Sequence, residues 1–419
     1  MKKIFLLALS ALLLCCSCRK EADYLPYIGE SGKLAYNNYT EQFEYIWKSM
    51  SAGYVFWDVD TTDWDAMYDR FLPKFQELDR IVEAGGTVSI STLGQLYNEM
   101  MGGMKDHHML VRVQNLFPIA GEPLFAYVQP GDREVVSRDF YYESSYEEKI
   151  RILSFLNNIE SQYNIAAHET ATYPIPEMNS EVTYVYCLIV LPDGRKIPYL
   201  WQSVAAIAPV LNAGNGNTVV EQWLKAIVET PRSELAGIIL DNRDNRGGYQ
   251  DDLDYLIGTF LNKRTEIFKT RYKEGPGRLE HSVWTPYYIE PNKKYHRDIT
   301  AENIPYVVIC DINSVSMGEI EPMTIKAVLP TAYTIGERTY GGTGPLQPAE
   351  DVNLNYGGPF GDNSINGLHY IYTSSFEALI GGKVLEGIGH IPDRIMLRKD
   401  YNGDLKPQLD AAIEYIRAY

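Results

Sequence analysis

Two short apolar runs constrain the fold of this chain most. Residues 237–240 read Gly-Ile-Ile-Leu and residues 306–310 read Tyr-Val-Val-Ile-Cys. Neither alternates as a strand with one wet face would. Each ends at an aspartate, Asp241 or Asp311, and passes into a polar turn. Strands buried on both faces belong in a layer covered by helices. Helical patterns do alternate with the runs, at 218–229 before the first, at 251–261 between them and from about Ser316 after the second, and 331–336 reads as a third strand. This alternation predicts an α/β domain with parallel pairing, spanning residues 201–419.

The preceding sequence has a different pattern. Phe43, Ile46, Trp47 and Met50 fall on one helix face, as do Trp64, Met67, Tyr68, Phe71 and Phe75. Leu93, Leu96, Tyr97, Met100 and Met104 do so a third time, with Thr92 and Gln95 as an expected capping box. Residues 37–112 thus read as an N-terminal helical domain. Residues 113–200 read as a divergent middle module. It holds an amphipathic helix over 147–163, then a hairpin of 182–190 with 196–202 about the Asp193-Gly194 turn. The formal charge is −17 and no basic stripe occurs, which argues against a nucleic-acid partner.

At the start, Lys2 and Lys3 precede an apolar run over 4–14, and charge returns at Arg19. The run is too short for an ordinary membrane span and reads as a secretory signal over 1–18. It ends in Cys15-Cys16-Ser17-Cys18, which resembles the lipobox of bacterial lipoproteins. Cys18, after the small Ser17, is the expected lipid anchor, with Cys16 the alternative and a plain cleaved signal the simpler reading. Residues 19–36 read as a tether. The expected location is the bacterial cell envelope, facing the periplasm or the cell surface. Cys187 and Cys310 sit in apolar runs and read as small hydrophobes, so no disulfide framework is expected.

Four segments carry candidate chemistry. Ser316 follows a buried strand at an expected helix start, where unpaired N–H groups and the helix dipole suit a developing oxyanion. The plain alternative is that Ser314 or Ser316 only caps the helix. Asp241-Asn-Arg-Asp-Asn-Arg-Gly247-Gly248 is a turn whose glycines let an N–H face a ligand. Asp106-His107-His108 offers a general base. A metal site is not expected there, since adjacent histidines diverge and no further ligand stands at helical spacing. Glu386-Gly-Ile-Gly-His-Ile-Pro-Asp393 reads by itself only as a turn.

Together and in order, these segments resemble the C-terminal processing (tail-specific) serine peptidases. The resemblance rests on Asp106-x-His108, Asp241 to Gly248, Ser314-x-Ser316-x-x-Glu319, Gly336-Glu-x-Thr-x-Gly341 and Glu386 to Asp393, and covers about 43–115 and 197–400. It implies a crotonase-like ββα spiral, no cofactor, and a protein or peptide substrate cleaved through an acyl-enzyme on Ser316. It also implies an oxyanion hole from the N–H of Met317 and of Gly248, or of the neighbouring Gly247. Where one branch of the family has its catalytic Lys, this chain has Gly342. The chain is more similar to the branch of the tricorn core protease and the retinoid-binding-protein repeats. By that resemblance His108 is the base, assisted by a carboxylate, with Glu377 (on a strand-like stretch, 369–379) and Glu386 the candidates. Asn242 stands where the family has Leu, no PDZ pattern appears in 113–200, and Pro322 would bend or delay the helix after Ser316. The alternative function is a catalytically inactive binding lipoprotein on the same scaffold.

Overall fold

A computed structural model of the chain describes residues 37–129, 145–214, 216–346, 356–361 and 369–419. The signal, the tether, Cys16 and Cys18 lie outside the described residues. Among those residues, no helix is long and apolar enough to cross a membrane.

Three helices form as their apolar spacing requires: Tyr39–Gly53, Trp64–Glu83 and Ile90–Met101. Asn38 and Asp63 cap the first two. The third starts earlier than the expected capping box at Thr92. Ser89 Oγ accepts the Thr92 N–H at 3.1 Å, while the Gln95 amide bonds Glu99 instead. The helices bury Phe43, Phe71, Phe75, Leu93 and Tyr97 in one core with Val111 and Val113. Those two valines belong to β1 (Leu110–Gln114), which pairs antiparallel with β2 (Phe125–Val128) and with β12 (His369–Tyr372). A two-residue β11 (Phe360–Gly361) completes this sheet. The N-terminal part is therefore stitched to chain more than two hundred residues away.

Among the described residues the main sheet has seven strands. β3 (Ile165–Ile175) pairs antiparallel with β4 (Ser180–Val190), and β4 with β5 (Lys196–Gln202). β6 (Ile238–Asp241), β9 (Tyr306–Cys310), β10 (Ala332–Gly336) and β15 (Arg394–Ile395) extend it in parallel from β5. The two apolar runs are its centre: β6 and β9 are wholly buried and paired, with Leu240 opposite Val308. Helices Val219–Glu229 and Met317–Val328 cover one face through Trp223, Leu224, Ile320 and Met323. Helices Ser145–Asn157 and Lys406–Ala418 cover the other through Ile152, Leu156, Leu409 and Ile416. A third sheet, β14-β13-β7-β8, joins Lys383–Val384, Phe376–Ile380, Thr265–Tyr272 and Thr285–Ile289. The chain is thus an α/β protein with a helical N-terminal region.

Four expectations change. The boundary near 200 cuts the main sheet, because β5 pairs with both β4 and β6. Residues 113–200 are thus no separate module: β1 and β2 join one sheet and β3 to β5 another. The helix expected over 147–163 ends at Asn157, where the Asn158 amide takes the Ser154 carbonyl at 2.8 Å. The helix expected over 251–261 breaks into Gln250–Asp252, Leu253–Leu256 and Gly258–Phe260, around a glycine of low helix propensity. The stretch 369–379 is two strands, β12 and β13, in different sheets. Cys187 and Cys310 are buried and free.

A buried ion triad ties the C-terminal segment to the sheet. Arg398 meets Asp311 at 3.0 Å and Glu148 at 2.5 Å, with all three side chains fully buried. Removing the cation strands two buried carboxylates. Arg398→Met is expected to cost about 3–5 kcal/mol, read as a lowered urea midpoint. An unchanged midpoint would show that the carboxylates are neutralised another way.

Candidate active site

Parallel strands in register end at the same edge, and ligands in open α/β sheets bind beyond those carboxyl ends. Here the ends of β6 and β9 bring the two motif turns together. In the first, Asp241 is a structural residue. Its carboxylate accepts the Tyr199 hydroxyl at 2.7 Å and the Arg243 side chain, which also donates to the Leu405 carbonyl at 2.8 Å. This holds the turn while Asp244 takes φ 58° and Gly247 and Gly248 take 97° and 142°. A Cβ on Gly248 would lie 2.0 Å from the Ala205 carbonyl oxygen, so only glycine fits. The Gly247 N–H donates to Asn245 Oδ1 at 3.0 Å. The Gly248 N–H has no acceptor among the described residues. Of the two glycines expected as oxyanion donor, Gly248 is the one whose N–H is free.

The second turn is clamped onto the first. Ser314 Oγ donates to the Asn242 carbonyl at 2.7 Å, and the Val315 N–H donates to the Asn245 carbonyl at 3.0 Å. A Cβ on Gly318 would come within 2.1 Å of that same Asn245 oxygen. Helix Met317–Val328 starts directly after Ser316 and runs through Pro322, neither delayed nor broken. Pro322 leaves the Gly318 carbonyl without its helical donor, and Asn242 Nδ2 supplies one at 3.2 Å. The departure at Asn242 thus answers the oddity at Pro322.

Ser316 occupies the N-cap position, but with φ 57° and ψ −127°. Ordinary N-caps are extended. A non-glycine residue here is strained and is held only because its surroundings dictate it. Its N–H donates to the Gly342 carbonyl at 3.0 Å. Its side chain lies on Gly247, where a Cβ would sit 2.6 Å from Ser316 Cβ and 3.0 Å from its Oγ. The Met317 N–H is in the first helical turn, whose donors have no partner within the helix.

Three carboxylates hold the surrounding loops. Glu319 accepts Thr339 Oγ1 at 2.6 Å, the Gly341 N–H at 2.9 Å and the Gly342 N–H at 2.7 Å, and reaches the Ser316 N–H at 3.3 Å. Burial pushes its carboxyl up to about 7 although these donors pull it down. Glu386 accepts the N–H groups of His107 (2.9 Å), Thr343 (2.6 Å) and Gly344 (2.7 Å); burial, then nearby Asp106, raises its carboxyl well above the usual range. Asp106 accepts the His108 N–H at 2.9 Å, the Ser374 N–H at 2.7 Å, and the hydroxyls of Thr373 and Ser374 at 2.6 and 3.0 Å.

His107 is committed elsewhere: its Nδ1 meets the Tyr340 carbonyl at 2.9 Å, and burial lowers its pKa to about 4. His108 is also lowered by burial, opposed by Asp106. Its Nδ1 faces Ser374 Oγ at 3.5 Å, and its Cε1 would lie 3.4 Å from a Cβ on Gly342, the residue that holds the Ser316 N–H. No hydrogen bond joins His108 to Ser316 in this structure. Of the two expected assisting carboxylates, Glu386 lies in the cluster: donor atoms of Asp106, His108 and Glu386 fall within 4.8 Å of one another. Both carboxylates there are already occupied by N–H and O–H donors. Glu377 lies in a different cluster. Its carboxylate pairs with Arg271, which also holds Asp58, and burial raises it to about 8. Ser374 was not foreseen. Asp106 was named only as part of Asp106-x-His108; the signal that could have found its hold is that an aspartate commonly bonds the N–H two residues on.

A strained serine at a helix start, against a glycine turn with an N–H free among the described residues and near a half-buried histidine, defines the candidate site of an α/β chain. Residues 210–357 match the model of peptidase family S41. The fold is similar to that of a protein from Parabacteroides merdae described as a candidate peptidase (20% identity, TM-score 0.61, covering 91% of this chain and 97% of that one). It is also similar to mature CPAF complexed with lactacystin (12% identity, TM-score 0.55, covering 91% of this chain and 99% of that one). No curated protein matches the chain.

The Glu319 shift has a sign. Between its usual 4.5 and about 7 the folded chain keeps a proton that the unfolded chain releases. This group's stabilisation is therefore complete below 4.5 and is lost as pH rises through about 7. Urea midpoints taken across that window should decline less steeply in Glu319→Gln than in the parent. Equal slopes would assign the titration to other groups.

Proposed function

We propose that this chain is a serine endopeptidase acting through an acyl-enzyme on Ser316, exported and anchored by lipid at Cys18 or Cys16 to a bacterial cell envelope. Its substrate is a protein or peptide. The observation that carries the reading is the strained Ser316, packed on Gly247 and followed by the Met317 N–H, in contact with a turn whose Gly248 N–H has no acceptor among the described residues. Strain of this kind concentrates where a nucleophile must be presented at the end of a strand.

In the proposed reaction Ser316 Oγ attacks the peptide carbonyl while its proton passes to His108. The carbonyl oxygen becomes an oxyanion between Met317 N–H and Gly248 N–H. His108, now an imidazolium, gives the proton to the departing amine. Water, deprotonated by the same ring, then attacks the acyl carbon, and the ring gives that proton to Ser316 Oγ as the acyl C–O bond breaks and the acid departs. Burial keeps His108 neutral near pH 7, the form a base requires. Such hydrogen bonds often tighten only with substrate in place, so the open Ser316–His108 contact is compatible with this role. Glu386 serves by holding the 343–344 backbone and the His107 N–H, not by touching substrate.

The second reading, an inactive binding protein on this scaffold, is favoured by Gly342 at the lysine position and by the open Ser316–His108 contact. A fluorophosphonate probe separates the two. It should label the parent at Ser316 and fail on Ser316→Ala, with the urea midpoint nearly unchanged, because one hydroxyl is lost. His108→Ala should label at least about 10³-fold more slowly. No labelling of the parent would favour the binding protein, and full peptidase activity in Ser316→Ala would end the proposed mechanism. Peptides with free and amidated C-termini then report whether tails are read.

A further inference from the structure

Ser374 sits on the three-residue link between β12 and β13, the point where the chain leaves one sheet for another. It is fully buried, as is Asp106. Its hydroxyl oxygen has three polar neighbours: Asp106 Oδ1 at 3.0 Å, the Gly344 carbonyl at 3.4 Å and His108 Nδ1 at 3.5 Å. A serine hydroxyl has one hydrogen and two lone pairs. Two of the three neighbours, a carboxylate and a carbonyl, can only accept. The single hydrogen goes to the closer and charged one, Asp106. The lone pairs are then left facing His108 Nδ1, and only a protonated Nδ1 satisfies them.

We infer that Ser374, held by Asp106, is a positioning residue that fixes His108 as the Nδ1–H tautomer and leaves Nε2 as the basic nitrogen. The inference rests on the proposed role of His108 but concerns how that role is set. The chain of donors is His108 Nδ1–H to Ser374 Oγ, and Ser374 Oγ–H to Asp106 Oδ1. Asp106 holds both ends of it. The same Oδ1 accepts the His108 backbone N–H at 2.9 Å, and Oδ2 accepts the Ser374 backbone N–H at 2.7 Å. The ring and the hydroxyl are thus registered by one carboxylate, although they come from positions 266 residues apart.

During acylation the Ser316 proton would move to Nε2. The ring would then carry both hydrogens and one positive charge, with Nδ1–H still directed at Ser374 and the Asp106 charge behind it. When Nε2–H passes to the leaving amine, the ring returns to its starting tautomer. No proton needs to travel to Ser374 or Asp106. This differs from assistance by Glu377, which is bound to Arg271, and from Glu386, whose carboxylate is occupied by loop N–H groups.

The test reads the ring directly. Long-range ¹H–¹⁵N spectra of the full chain, with His108 assigned by comparison with His108→Ala, report which nitrogen bears hydrogen. The inference expects Nδ1–H in the parent and an increased Nε2–H population in Ser374→Ala. The second-order rate of fluorophosphonate labelling should fall about 10- to 100-fold in Ser374→Ala, less than the loss seen when a triad carboxylate is replaced and the wrong tautomer results. An Nε2–H tautomer in the parent would overturn it. So would a Ser374→Ala chain with the parent's tautomer and labelling rate. If Ser374→Ala does not fold, the parent spectrum alone decides. Failure of the parent to label would count against the peptidase reading and leave the tautomer result standing on its own.

Discussion

Everything at this site depends on two turns being pressed together at the ends of β6 and β9. The Asn245 carbonyl accepts the Val315 N–H at 3.0 Å, and Gly318 leaves no room for a Cβ beneath that oxygen. Ser314 and Asn242 brace the same junction from the strand side. The parallel register of β6 and β9 makes this contact possible, since it brings both chain exits to one edge. Ser316 can then be held at φ 57° because the hydrogen bonds and packing around it leave no relaxed alternative.

A second layer of order comes from buried carboxylates used as acceptors. Glu319 gathers the loop at 339–342, Glu386 the backbone at 343–344, and Asp106 the link at 373–374. Burying a carboxylate is costly unless donors surround it, and each of these accepts three or more hydrogen bonds. Loops distant in sequence thereby converge on His108 and Ser316 without forming a continuous sheet among themselves. The N-terminal helices contribute through β1, whose pairing with β12 brings Asp106 and His108 to residues 373–374.

Much of this was legible from sequence. The two apolar runs gave the centre of the sheet because a strand buried on both faces cannot alternate. The motif turns showed the strand ends, the paired glycines and the helix start because these are local features; singling out Ser316 and Gly248 took the resemblance, since alone each turn reads as a helix cap or a plain turn. Other parts could not be read locally. β3 to β5 look like a free-standing hairpin module until β5 is seen to pair with β6. The stretch 369–379 has continuous strand propensity, yet Thr373, Ser374 and Ser375 turn it from one sheet into another. That turn sends Glu377 to Arg271 and brings Ser374, which no local pattern singled out, to His108. Asn242 shows the same limit: its role becomes visible only when Pro322 is seen to free the carbonyl that it bonds.

The central claim is that the Met317 and Gly248 N–H groups form one anion site beside Ser316. The most direct measurement is a crystal structure of the chain after reaction with a peptide phosphonate. The account predicts a covalent bond to Ser316 Oγ, with one phosphonyl oxygen within about 2.7–3.1 Å of both nitrogens. An adduct whose oxygens turn to solvent, or bond neither N–H, would contradict it.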